Sequence, residues 1–154
     1  MVVDVRTVPR SRTNPQYNAE VLGAELAPCR IGYDRIPGLG GLRGRSRDVP
    51  SELNGYWENQ SFHNYADYAL SDAFAEALDQ LIGKAAAQTT AIMCSEAVWW
   101  RCHRRIIADY LLIRGIPVLH LMGSGRIEPA SLTPAARERD GHLVYPAPSG
   151  EPPD

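Results

Sequence analysis

The chain has 154 residues, a length typical of one domain, and its apolar (44%) and charged (22%) fractions are those of a globular protein. Its formal net charge is only −2, which excludes a protein that binds nucleic acid through an overall positive charge. No apolar run reaches the roughly 18 residues that indicate a membrane span, and the first residues lack the pattern of a secretory signal.

Arginine is used almost to the exclusion of lysine: 15 of the 16 basic residues are arginines and one is Lys84. Residues 1–47 carry a net charge of +4 and residues 97–154 of +1, whereas residues 48–96 carry −7 and contain no arginine. A GC-rich genome would explain the excess of arginine, but it would not explain the clustering. The planar guanidinium suits bidentate contacts with phosphate or carboxylate. We therefore expect the two clusters to converge on one anion.

The three cysteines, Cys29, Cys94 and Cys102, are an odd number in a chain large enough to form an apolar core. This count favours reduced thiols and a cytoplasmic protein over a disulfide scaffold. Cys94 and Cys102 are eight residues apart and Cys29 is remote, which is not the spacing of a structural zinc site. We predict no metal and no cofactor.

Short apolar runs and turn residues predict strands that alternate with helices in the first half of the chain. Met1–Val5 is predicted to be a strand, and Asn18 to begin a helix that ends near Ala27. A second strand is expected at Ile31–Tyr33. Pro37–Phe62 is a long, glycine-rich stretch with no predicted element, and loops of this length are commonly functional.

The same pattern continues in the second half, where Ser71 and Asp72 begin an amphipathic helix. The later predicted elements are a strand at Thr90–Cys94, a helix at Arg101–Arg114, a strand at Val118–Met122 and a last strand at Leu143–Tyr145. Residues 1–145 are thus predicted to form a single α/β domain. The proline-rich residues 146–154 are predicted to be a disordered tail.

Alternating elements with apolar strands predict a three-layer, Rossmann-like fold: a mainly parallel sheet of about four to five strands flanked by helices. Such sheets bind ligands at the carboxyl ends of their strands. The loops after Val5, Cys94 and Met122 are therefore predicted to form the functional site.

Reactive side chains are concentrated where the third predicted strand passes into the next helix. A helix N-terminus attracts anions and favours thiolates, and on the helical wheel His103 points inward. A cysteine in a strand is more often a small apolar residue, and a histidine in a first helical turn is often structural. Their concentration at one junction favours chemistry. The catalytic candidates are Cys94, Glu96, Cys102 and His103.

Two further groups of residues are expected to contact a ligand. The anion-binding candidates are Arg6, Arg10, Arg12, Arg101 and Arg104. The predicted loop contacts are Gly40, Gly41, Tyr65 and Trp99, although the interpretation of Trp99 as an apolar plug is slightly favoured. The glycine-rich segment around Gly40 does not lie between a strand and a helix, so it is neither a phosphate-binding loop nor a dinucleotide fingerprint.

Three segments of the chain carry a resemblance to a known family. They read Asp-Val-Arg-Thr-Val-Pro-Arg-Ser-Arg from Asp4, Gly-Leu-Gly-Gly from Gly38, and Met-Cys-Ser-Glu from Met93 with Arg-Cys-His-Arg from Arg101. Together they resemble the widespread bacterial family of the domain of unknown function numbered 488, over roughly residues 2–145. The resemblance implies a compact cytoplasmic α/β domain whose site is built from these segments, in a family whose activity is not established.

The resemblance also implies a difference at the start of the chain. Relatives carry another strand and helix before the strand that contains Asp4. The chain either starts late or has a shortened domain, and a strand edge left uncovered would be a pairing hazard. A homodimer is one way to cover that edge.

The chain also resembles rhodanese-like domains more weakly, through its Asp-Val-Arg strand and a later strand that ends at Cys94. A loop that holds a catalytic thiolate has its arginine closer to the cysteine and no neighbouring acid. The presence of Glu96 and the distance to Arg101 therefore argue against sulfur transfer.

These patterns predict an enzyme that binds an anionic, phosphate-bearing substrate, nucleotide-like or nucleic acid, at the carboxyl edge of the sheet. Two alternatives stay open: a non-catalytic module that binds nucleic acid or a phosphorylated ligand, and a cysteine-based sulfur-transfer or thiol enzyme. The absence of a Cys-x-x-Cys pair counts against redox chemistry.

Overall fold

The computed structural model describes residues 1–149, and the chain divides into two compact units. Unit 1 comprises Met1–Gly41 and Asp72–Ala97, and unit 2 comprises Leu42–Ser71 and Val98–Asp154. The single domain over residues 1–145 stays a prediction. The disordered tail was predicted for residues 146–154, and residues 150–154 lie outside the described residues. Within residues 1–149, no helix has the length and apolar character that crossing a membrane requires.

The described elements are mixed strands and helices. The strands are β1 (Val2–Asp4), β2 (Tyr33–Arg35), β3 (Ala91–Met93), β4 (Leu119–Leu121), β5 (Ile127–Pro129), β6 (Arg137–Arg139) and β7 (His142–Val144). The helices are α1 (Ala19–Leu26), α2 (Gln60–Tyr68), α3 (Asp72–Ala87) and α4 (Arg104–Ile113). The strands predicted at Met1–Val5 and Thr90–Cys94 are thus confirmed as β1 and β3. The helices predicted after Asn18 and Ser71 are confirmed as α1 and α3.

Unit 1 is built on a three-stranded parallel sheet in the order β2-β1-β3. Val3 and Asp4 are successive residues of the central strand and point to opposite faces, and both are fully buried, as expected for a strand covered on both faces. The backbone N–H of Val5 donates to the carbonyl oxygen of Met93 (3.0 Å), so β1 and β3 end at the same edge. The chain connections reverse direction beside β1, which is where open parallel sheets bind ligands.

The predicted four- to five-stranded sheet is wrong, because β4 and β7 do not join it in the described residues. β4 pairs antiparallel with β5, and β7 pairs antiparallel with β6. The turn between β4 and β5 contains three residues with positive φ: Gly123, Ser124 and Gly125. Asp140-Gly141, with φ of 52° and 80°, forms the two-residue turn between β6 and β7 that this dipeptide favours.

The long stretch predicted to be irregular up to Phe62 contains the start of a helix instead. Helix α2 begins at Gln60, and the side chain of Asn59 caps it. The Asn59 Oδ1 atom accepts hydrogen bonds from the backbone N–H groups of Ser61 (2.9 Å) and Phe62 (3.3 Å). Asparagine is a favoured N-cap residue because it satisfies otherwise unpaired N–H groups of the first turn.

Unit 2 packs around a buried carboxylate in the middle of α4. Asp109 is only 1% exposed, and it accepts hydrogen bonds from the Thr133 backbone N–H (2.9 Å) and the Tyr145 hydroxyl (3.0 Å). The hydroxyl of Tyr110 donates to the carbonyl oxygen of Ala69 (3.1 Å). These bonds link α4 to the segments before and after the β6–β7 hairpin and to the end of α2.

Gly40 lies where unit 1 leaves no room for a side chain. A Cβ atom at this position would lie 2.5 Å from Thr7 Oγ1 and 3.1 Å from Thr7 Cα. Thr7 belongs to the loop after β1, so a bulkier residue at position 40 must displace the backbone at the carboxyl edge of the sheet. Gly44 is a suitable comparison because nothing lies within 4 Å of a Cβ placed there.

We expect Gly40→Ala to lower the free energy of unfolding by about 1–3 kcal/mol, the usual cost of overpacking. Chemical denaturation measures this loss. Gly44→Ala serves as the control and should change stability by less than about 0.5 kcal/mol. Equal effects of the two substitutions would show that the close approach of Gly40 to Thr7 does not constrain the fold.

Candidate functional site

Asp4 and Arg6 form a buried ion pair at the carboxyl end of β1 in unit 1. Asp4 is fully buried and Arg6 is 5% exposed, with Arg6 Nη2 2.6 Å from Asp4 Oδ2 and Arg6 Nε 2.9 Å from Asp4 Oδ1. The Tyr33 hydroxyl also donates to Asp4 Oδ2 (2.6 Å), and Arg6 Nη2 donates to the carbonyl oxygen of Tyr17 (2.6 Å). The Arg6 guanidinium therefore binds partners within the unit.

Hydrogen bonding decides the ionisation of this carboxylate. Burial alone would raise the pKa of Asp4, but the hydrogen bonds from Arg6 and Tyr33 outweigh burial and hold that pKa below its usual value. Burial, with the neighbouring Asp4 carboxylate as the next cause, raises the pKa of Tyr33 to about 12. Asp4 is thus a charged member of the fold at neutral pH.

The other predicted anion ligands of unit 1 lie at its surface. Arg10 is exposed and forms an ion pair with Glu20, while Arg12 is exposed. Two of the three arginines near the N-terminus are therefore paired with carboxylates of the same unit. Their role in binding a ligand stays a prediction.

Three predicted site residues, Arg6, Gly40 and Cys94, lie at the carboxyl edge of unit 1. Cys94 directly follows β3 and is half-buried, with its Sγ atom 3.9 Å from Ser95 Oγ, and Glu96 is exposed. Because β3 is paired with β1, Cys94 lies at the same edge as Arg6. Gly40 is buried against Thr7 at this edge, and Gly41, the last residue of the first segment of unit 1, is half-buried.

In unit 2, the Cys102 sulfur lies at the start of α4 among nitrogen donors. Cys102 Sγ accepts hydrogen bonds from Arg104 Nε (3.2 Å) and from the Arg104 backbone N–H (3.5 Å), and it lies 3.6 Å from His103 Nδ1. Arg104 is the first residue of α4, which begins three residues later than the predicted Arg101. The positive end of the helix therefore faces the sulfur.

Aromatic rings surround the first turn of α4. The ring of Tyr65, fully buried in α2 rather than in a loop, lies 4.9 Å from the His103 ring. Trp99 begins a short 3₁₀ turn, Trp99–Arg101, and stacks on His120 with ring centroids 4.2 Å apart and planes 2° apart. Arg101 is exposed. The packing of Trp99 agrees with its interpretation as an apolar plug.

His120 is a residue that the sequence analysis did not select. It is the one polar residue between Val118 and Met122, and that position in an apolar run was the available signal. It is 9% exposed in β4, and burial, followed by the charge of Arg104, lowers its pKa below the usual value.

One of the three loops predicted to follow a strand of the parallel sheet does not do so. The loop after Met122 is the turn of the β4–β5 hairpin in unit 2, where Arg126 N–H donates to the carbonyl oxygen of Gly123 (2.9 Å). It therefore does not follow a strand of the parallel sheet. The remaining two loops, after Val5 and Cys94, do follow neighbouring parallel strands.

Three predicted site residues carry groups that zinc favours: the thiols of Cys94 and Cys102 and the imidazole of His103. Cys94 belongs to unit 1, and the other two belong to unit 2. The expectation that the chain binds no metal stays a prediction.

Replacement of Arg6 tests the buried ion pair. We expect Arg6→Ala to lower the free energy of unfolding by about 3–5 kcal/mol, because it leaves the Asp4 charge buried without its partner. Arg10→Ala, in an exposed pair, should cost less than about 1 kcal/mol. Chemical denaturation measures both changes, and similar losses would contradict the assignment.

The same ion pair predicts a direction of pH dependence. Because the pKa of Asp4 is lowered on folding, its contribution to stability is complete above 3.8, the usual value, and is lost as the pH falls through the lower folded value. Unfolding of the wild-type chain between pH 2 and 5 should therefore show an acid-dependent loss that Arg6→Ala reduces. An unchanged slope would contradict the coupling of Arg6 to Asp4.

Comparison with known proteins agrees with the sequence motifs. Neither the search of curated proteins nor that of solved structures gives a match. A family model described as "Domain of unknown function DUF488" matches residues 1–111, which is more than half of the chain and includes Cys94, Cys102, His103 and Arg104. The chain therefore belongs to the DUF488 family.

Proposed function

We propose that the chain is a thiol-dependent enzyme that acts on a small, negatively charged substrate, with Cys102 as its nucleophile. The observation that carries the proposal is the pair of N–H groups of Arg104 that donate to Cys102 Sγ. One belongs to a guanidinium and the other is the first backbone N–H of α4. Positive charge and a helix N-terminus both favour the thiolate, which is the reactive form of cysteine.

His103 is suited to remove the proton from this thiol. Its Nδ1 atom lies 3.6 Å from Cys102 Sγ, and its ring is held against Tyr65. In the proposed step, the neutral imidazole takes the thiol proton, and the thiolate forms a bond to an electrophilic atom of the substrate. The leaving group departs with the electron pair of the broken bond and receives the proton back from His103.

The expected charge of the substrate follows from the residues around Cys102. Arg101 is exposed one residue before the cysteine, and Arg104 points at the sulfur itself. A guanidinium suits phosphate or carboxylate groups. Arg6 supports this role less well because it is bound to Asp4.

A second candidate is a non-catalytic module that binds nucleic acid. The observation in its favour is Trp100, whose indole is 45% exposed beside the exposed Arg101, since aromatic and arginine side chains stack on bases. Such binding should weaken steeply with salt and should not change in Cys102→Ser.

The proposed nucleophile is tested by alkylation with iodoacetamide at a series of pH values, with each cysteine followed by peptide mass spectrometry. The midpoint of the pH dependence of Cys102 alkylation should lie well below pH 8.5, about the pKa of a free cysteine thiol. We expect Arg104→Gln to raise this midpoint because it removes the guanidinium from the sulfur. The exposed Cys29 provides an internal comparison, and Arg139→Gln, an exposed arginine of β6, is the matched control variant.

Two results would contradict the proposal. An ordinary midpoint at Cys102, equal to that of Cys29, would show that the nitrogen donors do not activate the thiol. A low midpoint at Cys94 in place of Cys102 would transfer the role of nucleophile to the carboxyl edge of unit 1.

A further inference from the structure

His120 occupies an inward position in a strand whose neighbours face outward. Leu119 and Leu121 are 61% and 65% exposed, whereas His120 between them is 9% exposed. Strand residues alternate between faces, so this placement reverses the usual order of apolar inside and polar outside. Burial of an imidazole costs free energy unless its ring nitrogens are hydrogen-bonded.

The partner of His120 is the turn that carries Cys102. The imidazole stacks face to face on the Trp99 indole, with centroids 4.2 Å apart. The carbonyl oxygen of Trp99 accepts a hydrogen bond from the Cys102 backbone N–H (3.1 Å). His120 thus stacks on the first residue of the short turn that ends at Cys102, within unit 2.

Arg104 connects the two groups electrostatically. Its Nε atom donates to Cys102 Sγ (3.2 Å), and its charge is the second cause, after burial, of the lowered pKa of His120. Glu128, the cross-strand neighbour of His120 on β5, acts in the opposite direction, because its negative charge raises the pKa of His120. The same guanidinium therefore acts on the sulfur and on the imidazole.

We propose that His120 is a positioning residue for Cys102, because the neutral imidazole leaves Arg104 directed at the sulfur and the protonated imidazole repels it. This inference rests on the proposed role of Cys102 as a nucleophile. Protonation of His120 then weakens the thiolate and slows its reactions in acid. Linkage is reciprocal: a thiolate at Cys102 holds Arg104 in place, where its charge makes His120 harder to protonate.

The first experiment compares the pH profile of Cys102 alkylation in the wild type and in His120→Phe. Phenylalanine keeps an aromatic ring for the stack on Trp99 but cannot be protonated. At pH 5 the variant should react about fivefold faster or more than the wild type, at the lower end of typical coupling between sites, and at pH 8 the two should agree. His142→Gln, which replaces a histidine of β7, is the control and should follow the wild-type profile.

The second experiment reads His120 directly by an NMR titration of the histidine ring C–H signals, with His120 assigned from its loss in His120→Phe or in His120→Gln. In Cys102→Ser the midpoint of His120 should rise, because no thiolate holds Arg104 in the position where its charge opposes protonation of the imidazole. A merely structural role for His120 would leave this midpoint unchanged. This readout also decides the question if His120→Phe fails to fold.

The outcomes separate the two proposals. If Cys102 has a low midpoint in the wild type but its profile is the same in His120→Phe, or the His120 midpoint is unmoved in Cys102→Ser, the role of His120 is overturned and that of Cys102 stands. If Cys102 titrates as a free thiol in the wild type, the proposed function fails and the role of His120 fails with it.

Discussion

Unit 1 depends on one buried charge, the carboxylate of Asp4. A charge in the interior costs on the order of several kcal/mol unless its partners satisfy it. Asp4 obtains those partners from the Arg6 guanidinium, the Arg6 backbone N–H (3.0 Å) and the Tyr33 hydroxyl, and Arg6 in turn binds the carbonyl oxygen of Tyr17. These partners come from the loop after β1, from β2 and from the residue before Asn18. One carboxylate therefore fixes the segments around the central strand of a sheet whose strands have only three residues each.

Unit 2 also contains a buried carboxylate, but its chemistry differs. Asp109 receives hydrogen bonds from neutral donors, Thr133 and Tyr145, and burial outweighs them, so that its pKa is raised. Asp4, which has a guanidinium partner, has a lowered pKa. Asp109 fixes the middle of α4, the helix that begins at Arg104 shortly after Cys102, and rigid support of this kind is what the proposed nucleophile needs.

Local periodicity and helix-start residues are enough to predict β1, β3, α1 and α3, although the Asn18 side chain accepts from the Ser11 backbone N–H instead of capping α1. The partner of a short apolar strand is not a local property, so Val118–Met122 was assigned to the wrong sheet. For the last strand, Asp140-Gly141 was a usable hairpin signal. The inward direction of His103 followed from the helical wheel. The Asp4–Arg6 pair was missed even though residues two apart share a strand face. The stack of His120 on Trp99 joins residues 21 positions apart, which no local pattern indicates.

The contacts of Arg6 have a consequence for how this sequence can evolve. Lysine cannot replace Arg6, because a single ammonium cannot reach both carboxylate oxygens and the carbonyl oxygen of Tyr17 with the geometry of a guanidinium. Loss of either Asp4 or Arg6 alone leaves a buried charge, whereas loss of both removes it. Positions 4 and 6 should therefore change together among relatives. A chain with only one of the two replacements should be less stable than a chain with both or with neither.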